Sequence, residues 1–325
     1  QVYDASFSQG FSNSVQFNLG IGHNQPPAAT KIKTRCKRRD QFVRRPSYQR
    51  SFSSNQVSGP SGSSFDLNHN QAYQNDLSKK RMDITALREK GRSYYTNSKY
   101  KESTHVYTEA IEKYNIEIYP HIRGTHHLLA LLFSNRAAAL FMIGAYKSAV
   151  GDCRNAIKHA IDPRNSNPDL MSGDANPALW PKVYNRMARS HVKVGRVDDA
   201  DNAFKEAEES ASLILRQPNG YSIPNVKDGL EQSKTDAMLG RIEVSRLRGL
   251  LNKVNAIPDR INTKTKNGRD EATKALGHVT AALFIASGIN DLHQVKIKLL
   301  ADLKRWREVA SHCERLASSN VAFDG

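Results

Sequence analysis

"FSNRAAALFMIGAYKSAVGDCRNAIKHAIDP", residues 133–163, reads as two amphipathic helices joined by a short turn before Tyr146. Two residues interrupt the apolar face of the first helix. Asn135 and Arg136 place an amide and a guanidinium where a buried face has no use for either.

The same pattern occurs on both sides of this stretch. "LREKGRSYYTNSKYKESTHVYTEAIEKY" (87–114) and "YNRMARSHVKVGRVDDADNAFKEAEES" (184–210) align on it without a gap at the key positions. A small residue stands in the first helix of each, namely Gly91, Ala137 and Ala188, followed at a fixed distance by Tyr94, Leu140 and His191 and then by Tyr100, Tyr146 and Val197. Ser103, Ala149 and Ala200 come next, then Tyr107, Cys153 and Phe204, then Ala110, Ala156 and Ala207. Small side chains where two helices cross let the backbones approach, and large ones fill the wider gaps between successive hairpins. Cys153, in register with Tyr107 and Phe204, is therefore expected to be a core filler rather than a reactive thiol.

This pattern resembles the tetratricopeptide repeat (TPR). The resemblance implies an all-α solenoid of helical hairpins, with a groove lined by the first helix of each. Three repeats fill 83–215, a capping helix and linker follow over 221–262, and 263–325 begins a second array. Within that last part, "ATKALGHVTAALFIAS" (272–287) matches a second helix, and "VKIKLLADLKRWREVASHCERLA" (295–317) matches a whole hairpin with Trp306 at the turn and Cys313 in the place of Cys153. The Pro- and Gly-punctuated insertion at 164–180 reads as a surface loop and "NTKTKNG" (262–268) as a linker.

The polar residues at the groove positions are Arg88 and Arg92 in the first repeat, Asn135 in the second, and Lys182 and Arg186 in the third. Residues four apart share a helix face, so five donor-rich side chains, with no carboxylate among them, are expected to converge. The set is similar to the dicarboxylate clamp of co-chaperone TPR domains, with Arg92 departing from the family's Asn. The clamp implies as partners the C-terminal Glu-Glu-Val-Asp tails of the seventy- and ninety-kilodalton heat-shock chaperones, and an adaptor that assists folding, cytoplasmic with the nucleus as a further location. The split arrangement looks most like the TPR-containing J-domain co-chaperones. The chain opens at Gln1, stops at "VAFDG" and lacks a His-Pro-Asp motif, so it reads as a piece whose J domain would follow Gly325. Arg136, one step round the helix from Asn135, is expected to be structural.

The remaining sequence narrows the alternatives. Residues 1–80 are rich in Ser, Asn, Gln and Gly without helical or strand period, a composition that cannot offset chain entropy by burial and is expected to be disordered. Nine Lys or Arg against one Asp at 31–50 hold about half of the net charge of +16. That run suits a nuclear-localisation signal, a nucleic-acid arm, a transit-peptide-like segment or a solvated tail, and "RRPS" (44–47) would suit a basic-directed kinase. An RNA- or nucleus-associated scaffold acting through this tail is the alternative function. Cys36, Cys153 and Cys313 form no disulfide or zinc pattern and favour a reducing setting. No phosphate loop, metal-ligand spacing or nucleophile motif is present, so neither a cofactor nor catalysis is expected.

Overall fold

A computed structural model describes residues 64–121, 126–160, 162, 178–216, 224–258 and 261–318. From Leu67 onward the described residues form one unit. The basic run at 31–50, the "RRPS" stretch, most of the tail and the insertion at 163–177 lie outside the described residues.

The described residues form ten α-helices and no strand. Helices α1 (Ser64–Thr96) and α2 (Tyr100–Glu117) make the first hairpin, α3 (His127–Met142) and α4 (Tyr146–His159) the second, and α5 (Leu179–Val194) and α6 (Val197–Arg216) the third. Helix α7 (Pro224–Asn255) packs on α5 and α6, then come α8 (Lys266–Ile285), α9 (Asn290–Asp302) and α10 (Trp306–Ser318). Each hairpin packs on the next, so the fold is the expected all-α stack.

Backbone geometry repeats at the resolution of single residues. Tyr100, Tyr146, Val197 and Trp306 are each the first residue of a second helix. Two positions before each stands a left-handed residue: Ser98 (φ 59°), Gly144 (φ 86°), Gly195 (φ 81°) and Lys304 (φ 58°). In every turn the next N–H closes the same loop, Lys99 to Tyr94, Ala145 to Leu140, Arg196 to His191 and Arg305 to Leu300, all at 2.9 Å. A left-handed residue with this six-to-one bond is the Schellman ending of a helix, and it sets the angle at which the chain returns.

The aligned small residues sit at the helix crossings. A Cβ added to Gly91 would lie 2.7 Å from the Tyr107 ring, and Ser103 Oγ donates to the Gly91 carbonyl at 2.9 Å. Tyr107, Cys153 and Phe204 are all buried, as are Ala110, Ala156 and Ala207. Burial pushes the Cys153 thiol up to about 12, in keeping with a packing role. Cys313 is exposed, because no hairpin covers α10 among the described residues.

Two features differ from the sequence reading. Helix α1 opens at Ser64, inside the stretch assigned to the tail; Leu77 and Ile84 anchor it by burial, and Asp76 pairs with Lys80 at 2.6 Å. At the other end, one apolar core passes through Phe204, Ala237, Leu247, Val279 and Leu299, which belong to α6, α7, α8 and α9. The segment at 262–268 thus connects helices that share a core, and its Thr265 caps α8 by accepting from the Gly268 N–H at 3.1 Å. The turn after α8 is tied back to the third hairpin. Gly288 N–H donates to the Lys193 carbonyl at 3.0 Å, and Lys193 Nζ donates to the Ile285 carbonyl at 2.8 Å.

Candidate peptide groove

The two interrupting residues have different fates. Arg136 turns inward. Its Nε and Nη2 donate to Asp152 of α4 at 2.7 and 2.8 Å, its Nη1 donates to Thr108 of α2 at 3.0 Å, and its guanidinium lies 5.5 Å from the Phe133 ring centroid. The side chains of Arg136 and Asp152 are 19% and 7% exposed, so this ion pair joins three helices in a largely dry setting. Asn135, one step round α3, is half-buried, and its amide has no hydrogen-bond partner among the described residues.

Arg186 of α5 reaches across to α3, where Nη1 donates to the Ser134 carbonyl at 3.2 Å and to the Ser134 hydroxyl. Ser134, the residue before Asn135, is fully buried, which fixes the guanidinium against α3. The same guanidinium acts electrostatically on Tyr107 and Cys153 beneath it. Burial raises the Tyr107 hydroxyl to about 12, against the pull of Arg186 and Arg88 and with a push from Glu89. Tyr107 therefore senses charges from both α1 and α5, and Arg88 and Arg186 share its neighbourhood.

On α1, Arg88 donates to Glu89 Oε1 through Nη2 at 2.7 Å and through Nε at 3.1 Å, while Arg92 Nη1 lies 3.8 Å from Glu89 Oε2. Glu89 thus holds both arginines at the edge of the set, an acid the groove positions read from sequence had not included. Lys182 is half-buried on α5, with Nζ 3.9 Å from where a Cβ on Gly229 of α7 would stand. Asn185 is buried next to it and donates to the Ser233 carbonyl at 2.7 Å, so α7 closes this end of the α5 face.

The structure accordingly ties Arg186 to Ser134, the residue before Asn135, links Arg88 and Arg92 through Glu89, and sets Lys182 against α7. Ser134, Glu89 and Tyr107 were not singled out for the site from sequence. The repeat register carried a signal for two of them: Ser134 stands where Arg88 and Asn185 stand, and Glu89 where Asn135 and Arg186 stand. Arranged in this way, the side chains offer donors to a carboxylate and no nucleophile beside a base. Among the described residues there is no cluster of three or more potential metal ligands, and no helix is long and apolar enough to cross a membrane.

No family model matches the chain. Over 130 residues, 39% of its length, it is 26% identical to the heat shock protein STI1 of Saccharomyces cerevisiae, and the match spans 17% of that protein.

Proposed function

We propose that this chain is a co-chaperone adaptor whose groove binds the C-terminal carboxylate and adjacent aspartate of Glu-Glu-Val-Asp tails on the seventy- and ninety-kilodalton heat-shock chaperones. The observation that supports the reading is Arg186 fixed on Ser134, next in the chain to Asn135, whose amide is unpartnered among the described residues. The partial likeness to a heat shock protein points the same way.

Energetics favour a terminal carboxylate as the ligand. Charge-assisted hydrogen bonds contribute about 1.5–3 kcal/mol each, and a micromolar complex requires about 8 kcal/mol in total. A handful of such bonds is of the order required once ordering costs are met. The exposed ion pairs of Glu89 with Arg88 and Arg92 are worth only about 0–1 kcal/mol, so an incoming carboxylate can exchange with them. Lys182 supplies a further cation from α5, and Arg92, with its extra bulk and charge, favours an additional acid upstream of the terminus.

Isothermal titration with an octapeptide ending in Glu-Glu-Val-Asp tests the reading. The free acid binds at micromolar affinity, its C-terminal amide does not, and Asn135→Ala and Lys182→Ala each weaken binding by about tenfold, the equivalent of about 1.4 kcal/mol. Equal binding of acid and amide sinks the proposal.

A further inference from the structure

Of the residues of α10, only His312 is buried, and it is 7% exposed. Its Nε2 lies 3.1 Å from Nδ1 of His293 on α9. The other nitrogen of His293, Nε2, lies 2.9 Å from the Ser287 carbonyl. A carbonyl only accepts, so His293 carries its proton on Nε2 and presents a lone pair at Nδ1, and His312 must then donate from Nε2. A single added proton still leaves one facing nitrogen with a lone pair and the other with an N–H, so the bond persists; with both rings charged neither facing nitrogen can accept, and the two charges stand 3.1 Å apart.

The surroundings oppose that charge. On His312 act Lys296 from α9, His293 from α9 and Arg315 from α10, all cationic or neutral, together with burial. Glu308 of α10 acts on Lys296, and the end of α8 presents to the pair the Ser287 carbonyl. Helix α10 packs chiefly on α9, with most of its surface exposed, so its single buried side chain and the partly buried Val309 hold it there.

We propose that the His293–His312 pair is an acid-released latch that holds α10 on α9 at neutral pH and frees it on mild acidification. Burial and the neighbouring cations hold the His312 imidazole down to about 4, whereas a released histidine titrates near 6.5. The closed form thus binds fewer protons than the open one; its advantage is complete above about pH 6.5 and is lost progressively as pH falls toward 4. Between pH 8 and pH 5 the opening equilibrium rises about 30-fold on these two values.

Hydrogen exchange of the full chain at pH 8 and pH 5, corrected for intrinsic rates, reads this directly. Amides of 306–318 gain about 30-fold in opening at pH 5 while those of α3 and α5 do not. In His293→Gln/His312→Gln the pH response of 306–318 disappears, whether α10 is then held closed or stays open. A double variant that keeps the wild-type response overturns the proposal. So does a wild-type protein whose His312 ring titrates by NMR at or above about 5.5, within a unit of a free histidine.

Discussion

Replacing Arg136 by leucine should destabilise the protein and leave the proposed peptide site intact, the reverse of what Asn135→Ala does one residue away. The substitution removes three hydrogen bonds to Asp152 and Thr108 and leaves Asp152, 7% exposed, without its cation. Removing one member of a buried pair costs about 3–5 kcal/mol, because the partner's charge stays desolvated. Urea unfolding followed by far-ultraviolet circular dichroism measures the loss. Arg136→Leu/Asp152→Leu should recover most of it, since two apolar residues of similar volume are often no worse than the pair. Asn135→Ala, with no side-chain hydrogen bond to lose among the described residues, should change stability by less than about 0.5 kcal/mol and act on peptide affinity. A loss below about 1 kcal/mol for Arg136→Leu, or a folded Arg136→Leu that no longer binds the peptide, would refute the division of labour between these neighbours.

Two further outcomes follow from the packing. Gly91→Ala puts a methyl 2.7 Å from the Tyr107 ring, which is 2% exposed, and should cost about 1–3 kcal/mol by overpacking, relieved in part by Tyr107→Leu and read by thermal unfolding. In a Cys36→Ser background at pH 8, a thiol reagent should modify Cys313 at once and Cys153 only after unfolding, because burial holds the Cys153 thiol at about 12 and leaves about one thiolate in ten thousand.

The hairpins were legible because their packing is local and periodic. A crossing that admits only a small residue, and a ladder position that needs filling, recur at fixed offsets, so Gly91, Ala137 and Ala188 disclosed the register before any coordinates. The turn residues were less legible. Gly144 and Gly195 announce a left-handed conformation, whereas Ser98 and Lys304 adopt it without the residue that makes it easy. The start of α1 was hidden because its first half is rich in Asn, Gln and Lys, and among the described side chains at 71–90 only Leu77 and Ile84 are buried. For the groove, the register located donors but not their partners: Arg186 on Ser134 is a contact between residues 52 apart, and Glu89 lies outside a search restricted to cations. Likewise, the tie between Lys193 and the α8–α9 turn depends on how hairpins stack, which no periodicity within one segment encodes.

The shared core of α6 to α9 also constrains how this sequence can change. Gly240 of α7 leaves no room for a methyl against the Phe204 ring, and Gly195 leaves none against Ile289, whose nearest side-chain carbon would lie 2.5 Å away. A larger residue at either glycine requires the facing side chain to shrink in the same lineage, and at Gly195 it must also bear the left-handed backbone (φ 81°). Such positions should therefore vary as pairs, and the pair Gly195 with Ile289 joins two stretches that a count of repeats assigns to different arrays. Covariation would trace the physical unit, with its boundary drawn by shared volume and not by repeat number.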